Sequence, residues 1–207
     1  MESEMITKAD LSKRDYVLII DKSGSMSEKD CSGGKSRWNY CAESAYSLAN
    51  KMAEFDDDGI DLYLFSSNFK KYPNTTPEKV KDIFLENDPS GSTALHLVLK
   101  DVFNDYFNRK KLNAKPLTVL VITDGEPDDK VAVAKVIVDA ANKIKDDDEL
   151  GISFIQVGRN EGARKFLVSL DDDLKNCGAS FDIVDTVTMD DMENMSLSDV
   201  LLNAVND

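Results

Sequence analysis

Histidine is nearly absent from this sequence, cysteine is scarce, and no stretch is uniformly apolar for long. One histidine, His96, and three cysteines, Cys31, Cys41 and Cys177, are spread over 207 residues. No two cysteines are spaced as Cys-x-x-Cys, so the ligand set of a structural zinc site is missing. Three is also too few for a disulfide framework, and the three read as ordinary thiols of a reducing compartment. One long-range pairing, Cys31 or Cys41 with Cys177, is left open by the count. Positive charge is in deficit too: 25 Lys and Arg against 39 Asp and Glu give a formal net charge of −14. Such a chain repels a phosphate backbone at long range, which argues against nucleic acid as a partner. No apolar run approaches the roughly 18 residues that span a bilayer, so membrane insertion is not expected. The opening segment, Met1–Arg14, is polar and mixed in charge, and Val17–Ile20 behind it is too short for the apolar region of a signal peptide. The expected location is therefore cytoplasmic.

What is present is a real core and a regular alternation. Apolar residues make up 42% of the chain, enough to argue against global disorder. Strand-length apolar runs recur at Tyr16–Ile20, Ile60–Phe65, Leu117–Ile122, Ile152–Val157 and Phe181–Val184. Several are dense in Val and Ile and nearly continuous, the pattern of parallel strands covered on both faces. Ile60–Phe65 alternates, which suits a place nearer an edge. Phe69–Tyr72 reads as a short antiparallel return strand, ended by Pro73. Helical spacing fills the intervals: Trp38–Phe55, Pro77–Leu85, Ala94–Phe107, Lys130–Ile144, Ala163–Leu174 and Leu197–Val205. The expectation is an α/β fold, a doubly wound, Rossmann-like, mainly parallel sheet with one short antiparallel edge strand and helices on both faces. No composition shift marks a linker, so residues 1–14 read as a polar arm and 15–207 as a single domain.

In open α/β sheets ligands sit beyond the carboxyl ends of the strands. Three such loops carry oxygen donors: Asp21-Lys22-Ser23-Gly24-Ser25, Asp88–Thr93 before a helix, and Thr123-Asp124-Gly125. Carboxylates and hydroxyls without soft ligands suit a hard divalent cation, magnesium first, with calcium or manganese as alternatives. Asp21 and Asp124 balance its charge, while Ser23, Ser25 and Thr93 add ligands without charge. An open position on such a cation would accept an incoming carboxylate.

Other features carry less. Cys31–Ser36 ends in Gly-Lys-Ser, but Lys29 stands where a P-loop needs its first glycine, so the segment reads as a polar loop at the rim of the site. Glu54–Asp58 imitates a calcium loop, yet Phe65 falls at the position of the bidentate acid. The acidic runs Asp146–Asp148 and Asp171–Asp173 read as solvated turns. Ser92 is a candidate cap for the helix after Thr93, His96 a packed residue on that helix, and Lys22 a side chain turned away from the donors.

Together, Asp-x-Ser-x-Ser in VLIIDKSGSM (Val17–Met26), the Thr in PSGSTALHLVL (Pro89–Leu99) and the Asp in VLVITDGEPDD (Val119–Asp129) resemble the metal-ion-dependent adhesion site of von Willebrand factor type A domains. The order of strands and helices agrees over nearly the whole chain, and the resemblance is to intracellular, bacterial-type members. It implies Ser23, Ser25 and Thr93 as direct ligands of one divalent cation, with Asp21 and Asp124 acting directly or through water. It further implies a non-enzymatic binding module that captures an Asp or Glu of a partner protein, as an assembly or regulatory component. The loops around Ser27–Ser36, Ser66–Asn68 and Glu126–Asp129 would set specificity. The alternative is a metal-dependent phosphate-ester hydrolase on the same residues. Phosphatases on such sheets carry a second Asp two residues after the first, and that position here is Ser23.

Overall fold

The computed structural model describes residues 10–55, 59–112, 114–188, 191 and 197–203. Six strands form one sheet in the order β3-β2-β1-β4-β5-β6. They are β1 (Asp15–Asp21), β2 (Ile60–Phe65), β3 (Phe69–Thr75), β4 (Leu117–Thr123), β5 (Leu150–Gln156) and β6 (Val184–Thr188). β2, β1, β4, β5 and β6 pair in parallel, and β3 runs antiparallel to β2 at one edge. This is the doubly wound order, and the chain reverses its direction of travel across the sheet between β1 and β4.

The residues of the central strands explain the two layers. In β1, Leu18, Ile19 and Ile20 are fully buried, and successive side chains enter opposite cores as strand geometry requires. Leu18 and Ile20 pack with α1 (Arg37–Ala53), α2 (Pro77–Leu85) and α6 (Leu197–Asn203). Val17 and Ile19 pack with α3 (Leu95–Lys110), α4 (Lys130–Ala141) and α5 (Glu161–Asp172). Full burial of each such side chain stabilises the fold by about 1.5–3 kcal/mol before entropy is counted. Side-chain caps start the helices: Ser36 accepts from Asn39 N, Thr76 from Lys79 N with Pro77 behind it, Asp129 from Ala132 N, and Asn160 from Gly162 and Ala163 N.

Three sequence expectations shift. β3 does not end at Pro73 but continues to Thr75, with Ile60 opposite Thr75 and a register shift before Leu62. On an edge strand a proline nitrogen need not donate to a neighbour. β2 lies near the edge, as its alternation suggested, with only β3 outside it. The last strand starts at Val184, where the run Phe181–Val184 was expected to finish. Its register against β5, Ile152 with Val184 through Gln156 with Thr188, is made by polar as well as apolar residues. Ser92 does not cap α3, whose N-cap Ala94 has no side-chain bond. Instead its hydroxyl shares a hydrogen bond with Ser67.

At the start of the described chain, Leu11 is fully buried and Arg14 is 2% exposed. The Arg14 guanidinium donates to Thr118 Oγ1 and to the carbonyls of Leu117 and Asp148. All three cysteines are free thiols, Cys41 buried and Cys177 exposed, so neither pairing with Cys177 is present. Of the Glu54–Asp58 segment, residues 56–58 lie outside the described residues, as do 204 and 205 at the end of the expected last helix. No described helix is long and apolar enough to cross a membrane.

Candidate metal centre

The carboxyl ends of β1 and β4, adjacent in the sheet, bring two acids into one buried spot. Asp21 and Asp124 are each fully buried. Asp21 Oδ1 accepts from Ser23 N at 2.7 Å, which folds the loop back on the strand, and Oδ2 accepts from Thr123 Oγ1 at 2.7 Å. Ser23 and Ser25 hydroxyls share a hydrogen bond at 3.0 Å, and Ser25 Oγ donates to Asp124 Oδ1 at 2.9 Å. Four of the expected residues thus form one connected set across two strands.

The Thr93 loop is stitched to this set by backbone bonds. Gly24 N donates to Gly91 O at 3.0 Å, and Ser90 N donates to Lys22 O at 2.8 Å. Gly91 takes φ +88°, and a Cβ there would stand 2.9 Å from Ser67 Oγ, so a side chain is excluded by both backbone and space. Thr93 is 7% exposed and its hydroxyl makes no hydrogen bond among the described residues. Lys22 turns to the outer side of this seam, donating to Asp88 O and Ser90 Oγ.

Burial, then the charge of Asp124, pushes the Asp21 carboxyl up to about 6. Burial also raises Asp124, against the opposing pull of Arg37 and Ser25. Two acids held together out of water are what a divalent cation relieves, and the Thr93 hydroxyl has no hydrogen-bond partner among the described residues. The donor set therefore fits a hard cation. Among the described residues no trio of His, Cys, Asp and Glu is placed to hold a metal, so a cation here depends on hydroxyl oxygens to fill its shell.

Two residues of this site were not singled out from the sequence. Arg37, the first residue of α1, is 5% exposed and donates through Nη1 to Asp124 Oδ2 at 2.8 Å. Its other nitrogens meet Asp30 at 2.6 and 2.9 Å and Glu28 at 2.8 Å, both on the exposed loop before the helix. The pairing holds Asp30 below the usual carboxylate range. Gly158, φ +73°, makes room for this side chain: a Cβ there would lie 2.5 Å from Arg37 Nε. A cation in the first turn of a helix opposes the helix dipole, and that anomaly is the signal in the sequence. Asp128 is the second. Its Oδ1 accepts from Thr93 N at 3.0 Å while its own N donates to Thr93 O at 3.0 Å, clamping the loop. Beside Arg37, a polar cavity of about 320 Å³ opens between Asp30, Cys31, Gly158, Arg159 and Arg164.

Solved structures share the fold at low identity. Manganese-loaded TRAP protein of Plasmodium vivax is 20% identical over 87% of this chain and 70% of that one, with a TM-score of 0.58. An aerotolerance-related membrane protein of Bacteroides fragilis, carrying multiple mutations to serines, is 15% identical over 93% and 98%, with a TM-score of 0.62. The SpRpn10 VWA domain is 10% identical over 90% and 93%, with a TM-score of 0.57. No match is found among curated proteins. The family model for vWA-TerF-like domains, described as the vWA found in the TerF C terminus, matches residues 13–206. The chain belongs to that branch of the von Willebrand factor type A domains.

Proposed function

We propose that this domain is a metal-dependent protein-binding module. Asp21, Ser23, Ser25, Thr93 and Asp124 would hold one divalent cation that captures an Asp or Glu side chain of a partner protein. The observation that carries the reading is the connected set at the ends of β1 and β4, two buried carboxylates and two linked hydroxyls, with the Thr93 hydroxyl on the adjoining loop making no hydrogen bond among the described residues. Domains of this family are commonly interaction modules, and the manganese-loaded TRAP protein supports a divalent ion on this fold. Magnesium is the first candidate, with calcium and manganese behind it, because a site with two carboxylates keeps room for water ligands.

When bound, the cation supplies an electrophilic position for an incoming oxygen. The chain's own groups do the rest. Ser23 N and Thr123 Oγ1 orient Asp21, Ser25 and Arg37 orient Asp124, and Asp128 holds the Thr93 loop at the rim. The loops Ser27–Ser36, Ser66–Asn68 and Glu126–Asp129 would flank the opening and select the partner.

The test is a melting-temperature titration of chelated protein with magnesium, calcium and manganese, followed by partner pull-down with and without chelator. A ligand that binds only the folded state raises its stability by linkage. The expected result is a rise that Asp21→Ala and Ser23→Ala abolish, and partners that chelator releases. Partners retained both in chelator and by Asp21→Ala would refute the reading.

A further inference from the structure

Helices α3 and α4 leave an open groove of about 340 Å³ on the face of the sheet that carries α3, α4 and α5. Each helix contributes one continuous stripe. On α3 it runs His96, Lys100, Phe103, Asn104, Phe107, and on α4 Ala132, Lys135, Val136, Asp139, Ala140, with Lys143 just beyond. These are the spacings of single helix faces. The floor is apolar: Phe103 and Ala140 are buried, and Phe107 and Val136 are half-buried and packed on the core beneath.

The rim has the opposite sign to the protein. In a chain of net charge −14, three lysines line the groove against the single carboxylate of Asp139. Lys100 and Lys135 are exposed and make no ion pair among the described residues, and Lys143 lies over the Phe107 ring. The acids of α3 are turned elsewhere. Asp101 accepts from Tyr63 OH, and Asp105 holds Lys71 and Arg109 on the β2–β3 side. At the end of the groove nearest the strand termini, His96 Nδ1 is buried without a hydrogen-bond partner among the described residues. The acids Asp101 and Asp105 of α3 thus lie on one flank, while Lys100 of α3 and Lys135 of α4 stand along the groove with no ion pair among the described residues.

We infer that this groove is a docking site for an acidic amphipathic helix of a partner protein. His96 to Phe107 spans roughly 16 Å at the rise of an α-helix, which is three turns of an occupant. Apolar side chains at helical spacing would enter over Phe107 and Val136, and flanking Glu or Asp would meet Lys100, Lys135 and Lys143, the helix-in-groove mode of recognition. The inference does not rest on the candidate metal centre.

The test uses the full chain in chelator, so that no carboxylate is held by a cation. The probe is a fluorescein-labelled Leu/Glu peptide of about four turns, roughly 15 residues, with Leu on one helical face. Its anisotropy is read at low and high salt. Two controls share its composition or pattern: a shuffled peptide without the apolar face, and a Leu/Lys peptide. The expected result is saturable binding of the Leu/Glu peptide, weakened by salt and by at least about ten-fold in Lys100→Glu/Lys135→Glu, with neither control binding. Both lysines are exposed, and an unchanged melting temperature shows that the variant is folded. No binding, equal binding by the double variant, or equal binding of the shuffled peptide would each overturn the inference. So would sedimentation showing that the chain dimerises through this face and that the double variant releases the dimer.

Discussion

The perturbation that reads most from this site is Arg37→Met. Methionine keeps much of the stem that packs at the start of α1 and removes the charge. Asp124, fully buried, then keeps only the Ser25 hydroxyl on its carboxylate. Breaking a buried ion pair from one side costs about 3–5 kcal/mol, because the other charge is left uncompensated. The remaining bond places this case at the lower end, about 3 kcal/mol. The Asp30 and Glu28 contacts are on exposed acids and add at most about 1 kcal/mol. For a domain of this size about 3 kcal/mol lowers the melting temperature by roughly 6–12 °C. The assay is differential scanning calorimetry at neutral pH, in chelator and then with saturating magnesium. In chelator the variant should melt lower by that amount. With magnesium the gap should narrow, because a cation between the acids supplies the countercharge that Arg37 supplied. Gly158→Ala should reproduce the defect from the other side, since its Cβ would displace the guanidinium. Equal melting of Arg37→Met and wild type in chelator would refute the argument, whatever magnesium then did.

Three further outcomes are expected. The raised Asp21 carboxyl, about 6 in the fold against an ordinary 3.8, means that between about pH 4 and 6 the metal-free native state holds a proton which the unfolded chain has released. Its contribution to stability is full below pH 4 and is lost as pH rises through 6, by about 3 kcal/mol in all. Urea unfolding in chelator should show this slope, and Asp21→Asn should remove it; a variant slope equal to the wild type's would contradict the assignment. Thr93→Val should leave stability in chelator unchanged within about 0.5 kcal/mol, as its hydroxyl has no hydrogen-bond partner among the described residues, yet lose most of the magnesium-induced rise in melting temperature. An undiminished rise would remove Thr93 from the ligand set. Asp128→Ala, which leaves the Thr93 amide without its acceptor, should cost about 1–2 kcal/mol and shift the magnesium midpoint several-fold upward. A normal midpoint would show that the Thr93 loop holds its place without the clamp.

The sheet was legible because its central strands have no other use for their residues. Five consecutive apolar side chains in Val17–Leu18–Ile19–Ile20 and the preceding Tyr16 can be buried only where both faces are covered. The edges were read less well for the same reason. Val184–Thr188 holds only two apolar residues among three polar ones, Val184 in one core and Val187 in the other, and Pro73 is harmless because β3 is the edge strand of the sheet. Pairing partners decide such ends, and a single strand's composition does not carry them. Within the site, Asp21, Ser23, Ser25 and Asp124 were legible because each follows directly on a strand or its turn. Asp128 was read as part of a rim loop. Its hold on Thr93 is a contact between segments 35 residues apart, invisible to local pattern.

Arg37 changes more than the inventory, because it changes the charge. Two carboxylates alone would neutralise a divalent cation and leave a bound ion with little pull on anything further. With the guanidinium on Asp124 Oδ2, the inner set of Asp21, Asp124 and Arg37 carries one net negative charge. A divalent cation in its midst leaves a surplus of one positive charge, while Asp30 and Glu28 answer from the solvent side, where water screens them. That surplus is what one carboxylate from the proposed partner would cancel. On the proposed reading, the same arginine that weakens the hold on a lone cation would strengthen the demand for a third carboxylate, and the site would be best satisfied with cation and partner both in place. On this reasoning Arg37→Met should bind magnesium more tightly per unit of folded protein and retain its acidic partner less well. Titration calorimetry and pull-down on the one variant should therefore move in opposite directions, and parallel movement would show that Arg37 serves the scaffold alone.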